Sequence, residues 1–186
     1  GVVTAADVLS LAAFDAGRHA QAFPSFGSER TGAPVVSYCR ISAAPIRTRQ
    51  PILAPHALII ADATLLHQVD VFAGLPEDGY VLVNTRHTFA ELGLAEFLAA
   101  HRPERLATVP ATEISLRNVG RPVPNASLLG GFAALTGQIG LSGIEGAFGE
   151  RFGPELGSAN AAAAEEAYAW VRAQLTAKEA AGAAAD

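Results

Sequence analysis

The chain has 186 residues, a formal net charge of −5 and a pI near 5.5; half of it is hydrophobic and only 17% is charged. That length carries one domain with a proper core rather than two of ordinary size, and much of the apolar share is alanine. The acidic balance argues against a general nucleic-acid or anionic-membrane surface. No apolar run reaches the roughly 18 residues of a membrane span, and nothing reads as a secretory signal; the single cysteine, which allows no internal disulfide, fits a cytoplasmic address.

In chain order, residues 2–16 read as a helix with Val8, Leu9, Leu11, Ala12 and Phe14 on its apolar stripe and Gly17 placed to end it. Because Gly1 to Thr4 already open that helix, a short native strand is expected ahead of it. "AQAF" reads as a short strand, "PSFGSERTGAP" as a loop, and "VVSYCRIS" (35–42) as a strand with β-branched and aromatic residues. Cys39, the one cysteine, sits in that apolar run and reads as a buried, inert thiol. Pro45, Pro51 and Pro55 rule out a long helix in the connection that follows. "ALIIADA" (57–63) has the look of a central parallel strand, "TLLHQVDVF" of one or two helical turns, and "GYVLVNT" (79–85) of a second buried strand.

Further on, "TFAELGLAEFLAAH" reads as helical near its ends with an interruption at Gly93. "RLATVPAT" reads as a strand, and "ATEISLRNVG" as a helix closed by Gly120. Asn125 is a candidate N-cap for "ASLLGGFAALTG", and Ser142 for "LSGIEGAFGERFG". The remainder is a long Ala-rich helix anchored by Tyr168, Trp170, Val171 and Leu175, with residues 179–186 a loose tail after one domain over 1–178. Strands alternating with helices, each strand nearly all apolar, predict a Rossmann-like, doubly wound α/β fold. Its mostly parallel sheet is covered by helices on both faces. Ligands of such sheets bind outside the carboxyl ends of the strands, here around Asp62, Asn84-Thr85, Thr108–Pro110 and the 21–34 loop.

Self-contained catalytic machinery is not evident. The chain has no G-x-S-x-G elbow and no phosphate-binding G-x-x-x-x-G-K-[ST] loop, and Asp62, Asp70 and Glu77 form no acid/base pair. The five histidines lack metal-ligand spacing, and a single cysteine cannot hold an iron–sulfur cluster alone. Gly1 leading into a helix suits either a phosphate site or an ordinary helix start. Arg30 suits either an anion or solvent, and Phe23 and Phe26 suit a core or an interface.

"GVVTAADVLSLAAFDAG" followed by "AQAFPSFGSERTGAPVVSYCRI" resembles the gamma subunit, or gamma domain, of the 2-oxoacid:ferredoxin oxidoreductases. That family includes pyruvate, 2-oxoglutarate, 2-oxoisovalerate, indolepyruvate and phenylglyoxylate enzymes. The similarity continues through "ALIIADATLL", "GYVLVNT" and "GRPVPNASLLGGFAALTG" to "GAFGERF", roughly residues 1–155. In the family the position of Gly1 is the last glycine of a G-x-G-G-x-G loop, of which this sequence shows only the end.

The resemblance implies a subunit without chemistry of its own, active only in a complex. Its alpha and beta subunits hold thiamine diphosphate, and its iron–sulfur clusters lie on other chains, including a delta-type subunit. The acceptor is ferredoxin, or NAD through a flavin subunit, and the acyl group passes to coenzyme A. The resemblance implies coenzyme A contacts at Gly1, Val2, Val3, Thr4, Ser28, Arg30 and Asn125. It implies a subunit interface at Phe23, Pro24, Phe26 and Glu29, the last facing a partner or a backbone donor. The complex is expected to need neither nucleic acid nor a membrane.

Two other readings belong to different classes. A stand-alone nicotinamide dehydrogenase would need an acidic ribose-binding residue about 20 positions past the glycine loop, where "AQAF" offers none. A structural subunit with an unused coenzyme site would keep the fold without the contacts.

Overall fold

The computed structural model describes residues 1–25 and 34–184. The first helix, α1 (Val2–Asp15), buries Val8, Leu9, Ala12 and Ala13, and ends where Gly17 takes a left-handed φ of 75° and donates its N–H to Phe14 O. Phe14, expected on the apolar stripe, is 71% exposed: it falls a quarter-turn past the buried row.

Strands β1 (His19–Pro24) and β2 (Ser37–Ser42) pair antiparallel from His19↔Ser42 to Pro24↔Ser37. Side chains alternate across such a ladder. Ala20, Cys39 and Ile41 pack toward the core and α1, whereas His19, Gln21, Phe23, Tyr38, Arg40 and Ser42 share the other face. Burial, and then the charge of Asp7, push the Cys39 thiol up to about 12, which keeps it protonated and unreactive.

The principal sheet is parallel. Its strands β3 (Ala57–Ile60), β4 (Tyr80–Asn84) and β5 (Leu106–Val109) lie in that order, with Ile60 opposite Val83 and Asn84 opposite Val109. Among the described strands β4, not β3, is central, and its Val81, Leu82 and Val83 are fully buried. Their unbroken apolarity follows from cover on both faces. Leu82, Ala107 and Val109 pack with α1 and the later helices, while Val81, Val83, Ile60 and Leu106 face Phe72, Phe89, Phe97 and Leu98. That second layer is made by a 3₁₀ turn (Ala63–His67), α2 (Ala95–Ala100) and their loops, with Phe72 and Phe97 stacked at 4.1 Å. Only the second half of "TFAELGLAEFLAAH" is helical, because Gly93 takes a left-handed φ of 76° ahead of it.

Helix α3 (Ala111–Val119) closes at Gly120 as expected, and α4 (Asn125–Thr136) is buried from Asn125 to Leu135. Asn125 is not the cap of α4: Pro124 holds that position and Asn125 is the first helical residue. Ser142 is likewise inside the last helix, which Gly140 precedes without a side-chain cap. That helix, α5 (Leu141–Ala183), is two helices in series, broken at Gly153 (φ 76°, ψ −179°) before Pro154.

The junction of α4 and α5 is a backbone contact. A Cβ on Gly130 would stand 2.0 Å from the Ala164 carbonyl oxygen, and one on Gly131 would meet Leu82 and Val171 at 3.2 and 3.3 Å. Ala163, Ala164 and Ala167 are fully buried there, so alanine supplies this core by letting helices approach. Farther along α5, Trp170, Gln174 and Lys178 follow one another at four-residue spacing on one face. Trp170 Nε1 donates to Thr108 O at 3.1 Å, Gln174 Nε2 donates to the same oxygen, and Thr108 N donates to Gln174 Oε1 at 3.3 Å. Lys178 Nζ donates to Leu106 O and, at 3.0 Å, to Pro103 O. A row of side chains thereby satisfies the edge that β5 turns away from β4.

Gly130→Ala is expected to cost about 3 kcal/mol in denaturant unfolding, since the added methyl would run into the Ala164 backbone, which has no flexible side chain to move aside. Gly146→Ala, in the same helix system with open space around its Cβ, should instead stabilise by about 0.5–1 kcal/mol.

Glu166 ties α5 to α3 through Arg117 and Asn118 Nδ2, the latter at 2.7 Å. Burial raises its pKa, but these hydrogen bonds and the Arg117 charge outweigh burial and hold it below the usual 4.5. A carboxylate depressed in the folded state stabilises above its unfolded pKa and loses that contribution as pH falls through the folded value. Glu166→Gln should therefore flatten the fall in melting temperature below about pH 4.5.

Candidate functional site at the carboxyl ends of the strands

The parallel strands end together, and their exits form a shallow crevice lined by Asn84, Thr85, Arg86, His87, Pro110, Thr112 and Glu113. Asn84 is the last residue of β4, and its amide joins three elements. Nδ2 donates to Ala61 O beyond β3 at 2.9 Å and to Thr112 Oγ1 in the first turn of α3 at 2.8 Å, while Oδ1 accepts Thr112 N at 3.2 Å. Thr85 N donates to Val109 O at 2.9 Å, extending the ladder by one residue.

Beyond the clamp, Arg86 and Glu113 form a forked ion pair, Nε to Oε1 at 3.0 Å and Nη2 to Oε2. Glu113 also lies in the first turn of α3, where a carboxylate complements the helix dipole. At the exit of β3, Asp62 caps the 3₁₀ turn through Thr64 N at 2.9 Å and Thr64 Oγ1 at 2.7 Å, which lowers its pKa. Strand-exit reasoning locates Asp62, Asn84-Thr85 and Pro110. It misses Arg86, Thr112 and Glu113, whose signal is the "NTR" and "PATE" that follow the two strands. The crevice is therefore polar but internally balanced, with its amide and its charges directed at one another.

The start of α1 is different. The first helical bond runs from Ala5 N to Gly1 O at 3.2 Å, so the N–H groups of Val2, Val3 and Thr4 have no acceptor within the helix. No acidic residue lies in this first turn, and Gly1 is exposed with nothing within 4 Å of where a Cβ would stand. Such a terminus can receive a phosphate. Asn125 is only 6% exposed at the start of α4, a helix packed on α1, and its side chain bonds to none of the described residues. The C-terminal ends of α1 and α4 adjoin, because Arg18 Nη1 donates to Gln138 O at 3.2 Å. Phe23 and Pro24 are half-buried in β1, with the Phe23 ring 5.2 Å from Tyr38. Phe26, Ser28, Glu29 and Arg30 lie outside the described residues. Among the described residues no group of three His, Cys, Asp or Glu side chains is placed to hold a metal ion.

Residues 1–170 match the family described as pyruvate ferredoxin/flavodoxin oxidoreductase. The chain belongs to that family. It is 45% identical to a pyruvate/ketoisovalerate oxidoreductases common subunit gamma from Pyrococcus abyssi, across 90% of this chain and 89% of that protein. A pyruvate synthase subunit PorC from Methanothermobacter marburgensis is 42% identical over the same shares. Among solved structures, the pyruvate oxidoreductase subunit PORC of Thermotoga maritima superposes with a TM-score of 0.73 at 32% identity, covering 90% of this chain and 88% of that one. The gamma subunit of a keto/oxoacid ferredoxin oxidoreductase from Geobacter sulfurreducens shares the fold at a TM-score of 0.67 and 22% identity, covering 93% of this chain and 92% of that one. Within this oxidoreductase family, the α/β fold and the gamma-type resemblance read from "QAFPSFGSERTGAP" both hold.

The two halves of the crevice should respond differently to truncation. Asn84→Ala removes three hydrogen bonds and strands Thr112 N, so it is expected to cost about 2–3 kcal/mol. Arg86→Ala breaks a pair whose side chains are 64% and 42% exposed, and should cost under about 1 kcal/mol. Paired urea melts of the two variants check the difference.

Proposed function

We propose that this chain is the gamma subunit of a thiamine-diphosphate-dependent, iron–sulfur 2-oxoacid:acceptor oxidoreductase, and that it serves subunit assembly and the binding of coenzyme A. The observation that carries the reading is 45% identity across nine-tenths of the chain with a gamma subunit common to pyruvate/ketoisovalerate oxidoreductases. The overall reaction converts a 2-oxoacid and coenzyme A into acyl-coenzyme A, carbon dioxide and a proton from the thiol, with two electrons passing to ferredoxin or NAD. Thiamine diphosphate supplies the electron sink for decarboxylation, and it and the clusters belong to the alpha, beta and delta-type subunits.

What this chain contributes is a place for anionic groups. The Val2, Val3 and Thr4 N–H groups at the open start of α1 fit a phosphate of coenzyme A. Arg30 adds a permanent charge with forked geometry, and Ser28 a hydroxyl, both from the sequence that follows β1 and outside the described residues. Asn125 offers a buried amide at the start of a helix packed against α1. Pyruvate is the favoured substrate on the names of the relatives; phenylglyoxylate and branched 2-oxoacids are the other members of the series.

In the assembled enzyme, Arg30→Ala should raise the KM for coenzyme A about tenfold or more, the value of a charge-assisted hydrogen bond, while leaving the KM for the 2-oxoacid nearly unchanged. Unchanged coenzyme affinity and acyl-transfer rate would contradict the site and favour a structural subunit. The isolated chain should be inactive and prone to self-association.

A further inference from the structure

The start of α4 holds donors and nothing to oppose an anion. Its first helical bond runs from Leu128 N to Pro124 O at 2.8 Å, so no carbonyl of the helix accepts the N–H groups ahead of it. Pro124 supplies no side-chain cap, and no acidic residue lies in the first turn. Ser127, third in the helix, spends its hydroxyl on Ser115 at 3.0 Å. Asn125, the first helical residue, is only 6% exposed, and its amide bonds to none of the described residues. It is nevertheless open at its tip. Gln21 Oε1 and Arg40 Nη1, paired across the hairpin, are shut off from solvent without a partner; the Asn125 amide atoms are not.

Ala126 and Ser127 are fully buried behind Asn125, which leaves its amide as the group an anion meets, with the positive end of the α4 dipole at its back. Arg121, exposed and in no salt bridge with a described residue, stands in the turn that enters the helix. The start of α1 is close by. The two helices pack together with their C-terminal ends joined by Arg18 and Gln138, so they run in the same direction and open on the same side. Axes of packed helices lie about 8–10 Å apart. The two phosphates of a diphosphate share a bridging oxygen and cannot reach across that gap. A 5′-diphosphate and a further phosphate on the far side of the same ribose can, and coenzyme A carries both.

We infer that Asn125 reads the ribose phosphate of coenzyme A. The start of α1 holds the diphosphate, Asn125 Nδ2 donates to the 3′-phosphate at the start of α4, and the Arg121 charge adds to the field there. The inference rests on the coenzyme A reading above and gives that site its specificity. ADP and NAD bring a diphosphate without the second phosphate, and would leave the Asn125 amide unpaired.

The test uses the assembled complex with coenzyme A and 3′-dephospho-coenzyme A, which differ by this phosphate alone. The wild type should bind coenzyme A at least about tenfold more tightly, the value of a charge-assisted hydrogen bond. Asn125→Asp keeps the size of the side chain and places a carboxylate where the α4 dipole favours it, so assembly and melting temperature should at least match the wild type. Its charge opposes the phosphate, and should raise the KM for coenzyme A at least about tenfold while moving that for the dephospho form less than about twofold. Asn125→Ala should narrow the same preference by removing the donor.

Equal binding of the two coenzymes by the wild type would overturn the inference. So would Asn125 variants that weaken both coenzymes alike, or neither. A KM for coenzyme A that still rises in Arg30→Ala would then leave the coenzyme reading standing. A coenzyme A affinity that none of these variants changes would overturn both.

Discussion

The close approach of α4 and α5 at Gly130 and Ala164 sets the positions of the other elements. With no side chain between them, the helices bring their backbones into contact, and α5 then lies low enough over the sheet for its side chains to reach β5. Trp170, Gln174 and Lys178 convert that proximity into hydrogen bonds with Thr108 and Leu106, closing an edge that would otherwise invite another strand. The same packing fixes α4 against Leu82, and so the sheet against its main cover. A bulkier residue at Gly130 would lift α5 and uncover the β5 edge together.

Below that frame, the strand exits are held by polar groups that satisfy one another. Asn84 spends its amide on Ala61 and Thr112, and Arg86 spends its charge on Glu113. Groups so engaged position backbone; they are poorly placed to polarise a substrate. Among the described residues, unengaged groups lie instead at the start of α1 and at Asn125. Each suits contact with something outside the chain. That distribution suits a chain that works as one subunit of a larger oxidoreductase.

Much of this was legible in the sequence because its signals are local. Glycines at 17 and 120 end helices by left-handed φ, and the apolar runs at 57–60, 80–84 and 106–109 are strands, the last two buried on both faces. What escaped depends on geometry between distant segments. Asn125 looks like a cap until Pro124 is seen to occupy that position, and Phe14 looks like core until the helix is placed against its neighbours. Ala163, Ala164 and Ala167 carry no hydrophobic signal strong enough to mark them as core, yet they let the backbones of α4 and α5 meet. The Gln21–Arg40 pair cannot be read from a string, since only strand register makes them neighbours. Family resemblance supplied what periodicity could not, and its most specific string includes residues 26–33, outside the described structure.

The most direct measurement is the composition of the native assembly. If this chain is a gamma subunit, a tagged copy expressed in its own cells and isolated without oxygen should bring down stoichiometric partner chains. Their masses and bound cofactors should identify a thiamine-diphosphate-binding subunit and an iron–sulfur subunit. Recovery of the chain alone, monodisperse and itself oxidising a 2-oxoacid, would contradict that role.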